Sequence, residues 1–225
     1  MAAMTRIILL AHGSPDLRSG AAMRRFAERI HICTNMPTDV AFLDHERPTL
    51  HDVAKDVDGA DVLVVPMLLS NAFHARFDVP KAMERARLTR SLSPIGHPLE
   101  ILRTLIQVNG PRVIVAAAGS TDAGARLIFQ DAVELASLQT QIHAKPAFIT
   151  GSHLSLQSQL QAMQHEEVTI VPWLFAEGRL LDAIFVLGQE YGASVLDHCL
   201  VDEPAFEGHV ISRIKAALRS EPYLV

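Results

Sequence analysis

An α/β architecture of two tandem, pseudo-symmetric half-domains, each a parallel sheet flanked by helices, follows from three features of the 225-residue chain. The chain repeats itself once, short apolar runs alternate with segments of helical period, and 49% of the residues are hydrophobic, enough for a substantial core. The repeat is gap-free at an offset of 106 residues, which carries His12 onto Ala118. Arg6 to Asp16 falls on Arg112 to Asp122 with Arg, Gly, Ser and Asp coinciding. Ala41-Phe42 falls on Ala147-Phe148, Val65-Pro66 on Val171-Pro172 and Pro98 on Pro204. The halves are residues 1–108 and 109–225, meeting at the turn residues Asn109-Gly110-Pro111.

In the first half, Ile7–Ala11, Val40–Leu43 and Val62–Leu68 read as buried strands, because each is short and apolar on both faces. Between and after them, Ser19–Ile32, Thr49–Val57 and Val79–Leu88 read as helices; Ala22, Phe26 and Ile30 share one face of the first. In the second half the strands are Val113–Ala117, Ala147–Thr150 and Thr169–Trp173, and the helices Ala123–Ser137 and Leu180–Tyr191. Such alternation predicts parallel sheets joined by helical crossovers, with a cleft between the two halves. Ligands of open α/β sheets sit at the carboxyl ends of the strands, so those ends are where function is sought.

Composition narrows the function. A net charge of −5 with no Lys/Arg-rich run argues against a nucleic-acid partner. The longest apolar stretch, Val62 to Leu69, contains Pro66 and is far shorter than the roughly 20 residues that cross a bilayer, so no membrane partner is expected. Cys33 and Cys199 form no cysteine framework, which points to a reducing compartment, the cytoplasm. Neither Gly-x-x-x-x-Gly-Lys-Ser/Thr nor Gly-x-Gly-x-x-Gly is present, so no nucleotide cofactor is expected. Eleven histidines against two cysteines favour an imidazole and carboxylate site over a thiolate one.

The three strand ends of the first half carry such groups. They run Ala11-His12-Gly13-Ser14-Pro15-Asp16, then Phe42-Leu43-Asp44, then Pro66-Met67-Leu68-Leu69-Ser70-Asn71-Ala72-Phe73-His74. Two imidazoles and a carboxylate, spaced by about one β-α unit, suit a borderline divalent metal and leave positions open for substrate. At the repeat offset His12 faces Ala118, Asp44 faces Thr150 and His74 faces Leu180, while Gly13, Ser14, Asp16, Phe42 and Pro66 recur. The framework is thus duplicated and the candidate site is not, which makes the second half a wall or lid.

Leu9-Leu10-Ala11-His12-Gly13-Ser14, Phe42-Leu43-Asp44 with Pro48, and Val64-Val65-Pro66-Met67-Leu68-Leu69 leading into His74 and Asp78-Val79-Pro80 resemble the sirohydrochlorin cobalto/ferrochelatase family, the ATP-independent tetrapyrrole chelatases. The resemblance spans nearly the whole chain. It implies that His12 and His74 handle the metal, with Asp44 as auxiliary ligand or base. The divalent metal, Co²⁺ or Fe²⁺, is then a substrate, and the second substrate is sirohydrochlorin or a related tetrapyrrole of the cobalamin or sirohaem route. Such a polycarboxylate calls for Arg forks and backbone amides, for which Ser14, Arg47, Arg76 and Arg179 are candidates. Phe73 and Trp173 are candidates for stacking on the macrocycle. A homo-oligomer is compatible with this reading.

Two rival readings differ in class. A non-catalytic tetrapyrrole or metal carrier on the same scaffold would keep both histidines. An α/β-hydrolase-like esterase would use the strand-end His12-Gly13, but no serine has the flanking glycines of a nucleophile elbow; Gly192-Ala193-Ser194-Val195-Leu196 fails at the second.

Overall fold

The computed structural model describes residues 5–57, 61–70, 73–151, 153–163 and 165–219. Strands β1 (Arg6–Ala11), β2 (Thr38–Phe42) and β3 (Val62–Met67) form a parallel sheet in the order β2-β1-β3. Strands β4 (Arg112–Ala117), β5 (His143–Phe148), β6 (Thr169–Trp173) and β7 (Ser194–Val195) form a second in the order β5-β4-β6-β7, also parallel. Helices α1 (Leu17–Thr34), α2 (Leu50–Lys55) and α3 (Val79–Ala86) accompany the first sheet. Helices α5 (Ala123–Thr140), α6 (Leu156–Ala162) and α7 (Arg179–Tyr191) accompany the second. Among the described residues, no helix is long and apolar enough to cross a membrane.

The repeat is reproduced at the level of hydrogen bonds. The amide of Leu43 donates to Ala11 O and that of Asp44 to His12 O, and 106 residues on Ile149 donates to Ala117 O and Thr150 to Ala118 O. Pro66 and Pro172 stand opposite Leu10 and Ala116 at equivalent register positions. Neither costs a ladder bond, since β3 is the edge of its sheet and Pro172 lies beyond the part of β6 that pairs with β7. Pro146 likewise sits in the edge strand β5, which begins at His143, earlier than the apolar run alone predicts.

Two helices absent from the sequence reading change the partition of the chain. These are α4 (Leu99–Val108) and α8 (Pro204–Arg219), at equivalent positions of the repeat after Pro98 and at Pro204. The compact units are Met1–Gly96 with Val201–Val225, and His97–Leu200, rather than residues 1–108 and 109–225. The reason lies in the buried faces. The α4 stripe of Ile101, Leu102, Leu105 and Ile106 is buried in the unit that contains α5. On α8, Phe206, Val210 and Ile214 are buried in the unit that contains α1, with Phe206 5.9 Å from Phe26 and Glu207 paired with Arg29 at 2.7 Å. Each half thus gives its last helix to the core of the other unit, and a boundary placed at turn residues misses the exchange.

His97 opens the second unit in an aromatic setting. Its Nδ1 accepts from Trp173 Nε1 at 2.9 Å, and its ring lies 5.2 Å from Phe129. Burial pushes this imidazole down to about 4, so it is neutral when folded at pH 6 while the unfolded chain takes up a proton below about 6.5. The unfolded state therefore binds more protons, and stability is lost as pH falls from about 6.5 towards 4, by about 3 kcal/mol at full extent. Urea midpoints across this range should fall more steeply for the wild-type chain than for His97→Gln, which keeps an acceptor for Trp173 and does not titrate. Parallel curves would remove His97 as the cause.

Candidate functional site

The carboxyl ends of β1 and β2 are knitted by backbone bonds from the second strand's exit to the first's, so the loops that follow share one rim of the first unit. His12 leaves β1 at that rim, and Gly13 after it takes φ +92 and lies so close to the Asp44 carbonyl that a β-carbon would not fit. His74 arrives by a different route, as the first residue of a π-helical turn, His74–Asp78, that runs directly into α3. Single π turns inside helices are uncommon and recur at functional sites. The residues Asn71 and Ala72 of the preceding loop lie outside the described residues.

The structure brings His12 and His74 together, with Nε2 to Nε2 3.1 Å and ring planes crossing at 78°. The opposite nitrogen of each ring is engaged. His12 Nδ1 lies 3.1 Å from Gly13 O and His74 Nδ1 lies 2.6 Å from Asp78 Oδ2. A carbonyl and a carboxylate only accept, so both Nδ1 atoms carry the proton and both Nε2 atoms, in neutral rings, present lone pairs to one another. Two facing lone pairs at this distance are satisfied by a shared proton or by a cation. Two nitrogens bound at about 2.0–2.1 Å to one ion stand about 2.9 Å apart at a right angle and about 3.4 Å apart at the tetrahedral angle. The observed separation lies inside that interval.

Asp44 is placed differently from the two histidines. Its side chain is 68% exposed; Oδ1 accepts from the amide of His45 at 2.8 Å and Oδ2 lies 3.6 Å from His45 Nε2. One carboxylate oxygen is thus held by the amide of His45, whose own ring centroid is 5.9 Å from that of His12 and whose backbone is left-handed, φ 62. Among the described residues no group of three His, Cys, Asp or Glu side chains converges as a metal site. The geometry is a pair of imidazoles with a third imidazole and a carboxylate beside it, rather than a closed two-histidine, one-carboxylate set.

The residues expected to bind substrate carboxylates are mostly engaged with the protein. Ser14 donates its amide to Glu46 Oε1 at 3.3 Å, and its hydroxyl accepts from the amide of Asp16. Arg47 pairs with Asp52 at 2.9 Å; Thr49, by its hydroxyl and amide, and then Arg47 hold that carboxyl down at about 2. Arg76 is exposed on the π turn, two residues after His74. Arg179 begins α7 in the second unit, and Trp173 is fully buried there. Phe73, by contrast, is 61% exposed, its ring 4.9 Å from that of the exposed Phe77 and 5.9 Å from that of His74.

The sequence reading assigns no role to two residues at the site, although Asp78 is part of the motif that carries the family resemblance. Asp78 was legible as His-x-x-x-Asp, the spacing that brings two side chains to one face of a helical turn. Glu46 was not. Its side chain is 5% exposed and reaches Ser14 and, at 3.6 Å, Arg24, so it braces the loop that carries His12, and only the packed fold shows this.

Comparison with known proteins places the fold and the sequence among chelatases. Residues 6–107 match the CbiX family model. The chain is 24% identical over 204 residues to the sirohydrochlorin ferrochelatase of Bacillus subtilis (strain 168), covering 79% of this chain and 77% of that protein. SirB from Bacillus subtilis with Fe³⁺ shares the fold with a TM-score of 0.79 at 20% identity, over 96% of both chains. The sirohydrochlorin chelatase SirB of Bacillus subtilis subspecies spizizenii, in complex with cobalt, gives 0.75 at 19% identity over 95% of both. CbiX, described as the terminal enzyme for biosynthesis of siroheme in denitrifying bacteria, gives 0.68 at 19% identity over 95% of this chain and 99% of that one. The fold is the one these chelatases share.

Proposed function

With residues 6–107 matching the CbiX family model, we propose that the chain is a metal chelatase that inserts Co²⁺ or Fe²⁺ into sirohydrochlorin or a closely related tetrapyrrole without ATP, in sirohaem or cobalamin formation. The observation that carries this reading is the His12–His74 pair, two Nε2 atoms 3.1 Å apart on an exposed rim, each ring held from its other nitrogen. The similarity to a sirohydrochlorin ferrochelatase supports the choice of macrocycle.

Insertion exchanges one M²⁺ for two pyrrole protons, so charge balances without a co-reactant. The metal must shed water, and the ring must pucker so that its nitrogen lone pairs turn towards the incoming ion. Two imidazoles at a rim replace part of the hydration shell while leaving the other side of the ion open to the macrocycle. As the ion leaves, the same imidazoles become the nearest bases for the released protons, a task neutral histidine performs near pH 7. Asp44 serves beside them as auxiliary acceptor through His45, the imidazole nearest its carboxylate. Exposed Phe73, adjoining His74, offers the macrocycle an apolar edge. Carboxylates of the substrate meet Arg76 on the same turn, and Arg47 and Ser14 contribute only by leaving Asp52 and Glu46. We assign the reaction to the cytoplasm, a reading that the lack of a cysteine framework in the sequence supports.

Sirohydrochlorin mixed with excess Co²⁺ and substoichiometric protein should change its absorbance to that of the metallated ring over many turnovers. A single event equal to the protein present would make the chain a carrier instead, and no change above the uncatalysed rate would refute both readings.

A further inference from the structure

The two imidazoles of the pair are supported unequally, and the difference singles out one acidic residue. His12 is oriented by a neutral backbone carbonyl, that of Gly13. His74 is oriented by a carboxylate, Asp78 Oδ2 at 2.6 Å from Nδ1, across one π turn. Asp78 precedes the first residue of α3, where an aspartate commonly caps the helix with its side chain, yet it makes no capping bond. Its backbone is already helical, φ −76 and ψ −39, because the π turn runs on into α3. The carboxylate therefore does not hold the helix start, and it is turned to the ring that faces His12.

We propose that Asp78 is the positioning residue of the metal pair. By accepting the Nδ1 proton it keeps His74 Nε2 as the bare nitrogen and aims it at His12 Nε2. Its negative charge, passed through the imidazole, strengthens Nε2 as a donor to a divalent cation. His74 is then the stronger and more fixed of the two donors, and His12, held by a neutral acceptor, is the weaker one that lets go first when the ion moves into a macrocycle. The proposal deepens the chelatase reading and rests on it for the hand-over step, whereas the binding step is tested by the metal alone.

The test is Co²⁺ binding to the full chain, followed by the visible absorption of the bound ion, for wild type, Asp78→Ala, Asp78→Asn and Asp78→Glu. Long-range proton–nitrogen spectra of the metal-free, ¹⁵N-histidine-labelled proteins report which ring nitrogen of His74 carries the proton. Removing a carboxylate that orients a ligating histidine typically costs 10–100-fold in metal affinity. Asp78→Ala should weaken Co²⁺ binding by about that factor and give His74 a mixture of tautomers, at an unchanged thermal midpoint. Asp78→Glu, which restores an acceptor of the same charge, should recover most of the affinity. Asp78→Asn should fall between them, since an amide accepts the proton without supplying charge. Wild-type affinity and an unchanged His74 tautomer in Asp78→Ala would overturn the proposal, as would a lowered melting midpoint with no change in either. Metal binding with the expected Asp78 series but no tetrapyrrole turnover by wild type would sustain the proposal and sink the chelatase reading. Absence of Co²⁺ binding by wild type would overturn both.

Discussion

Gly13→Ala is expected to lower the thermal midpoint by about 6–12 °C and to disable the site at the same time. A β-carbon built on Gly13 would lie 1.9 Å from the carbonyl oxygen of Asp44 and 3.1 Å from its carbonyl carbon. Backbone cannot swing aside as a side-chain tip can. The amide of Asp44 is bonded to His12 O at 2.8 Å and that of Leu43 to Ala11 O at 2.9 Å, so moving Asp44 means prising β2's exit from β1's. The φ of +92 adds its own strain for an alanine. Together these should cost about 3 kcal/mol, towards the upper end of ordinary point substitutions. Because His12 is the residue next to the clash, its ring should also leave the 3.1 Å contact with His74. Gly119→Ala supplies the control. Its β-carbon would meet the Thr150 carbonyl at 2.6 Å, a repeat of the same loop with no imidazole attached. That variant should lose stability and keep its Co²⁺ affinity, and differential scanning calorimetry paired with Co²⁺ titration checks both. Equal metal affinity in the two variants would show that loop geometry at Gly13 does not set the position of His12.

The duplicated loop also explains which parts of the molecule were legible in the sequence. Six strands could be read because each is a short run buried on both faces, and the 106-residue offset made one half a check on the other. The helix of Leu156–Ala162 was not, since only Leu156 and Leu160 are buried and most of the rest is glutamine and serine. The exchange of α4 and α8 between units escaped because an amphipathic stripe announces that a face will be buried and not against which core. The histidine pair was visible as residues at strand ends, whereas their contact depended on a π turn that no periodicity signals. Asp44 shows the limit from the other side. Position after a strand places its backbone at the rim, and the left-handed turn at His45 then decides where the carboxylate points.

His12→Ala and His74→Ala should each reduce metal insertion by about 10²–10⁴-fold, the range for losing a positioned acid–base group, with melting midpoints close to wild type. Both rings stand at a rim and neither belongs to the buried core, so truncation opens no core cavity. The informative variant is the double one. If His12 and His74 grip one ion, either truncation already destroys the two-nitrogen site, and the second truncation has little left to remove. The double variant should then be about as impaired as the worse single variant, a coupling as large as the single effects. Independent roles, such as a metal ligand at one histidine and a base at the other, would instead multiply the two losses. The same cycle read in Co²⁺ affinity separates binding from proton transfer, because a histidine acting only as base would leave affinity intact. His51→Ala makes a matched control: this exposed imidazole bonds the carbonyl of Arg85 at 3.1 Å, away from the pair, and its removal should change neither measurement. Multiplicative losses in the double variant would leave the shared-ion geometry without support, even though the two nitrogens stand within 3.1 Å.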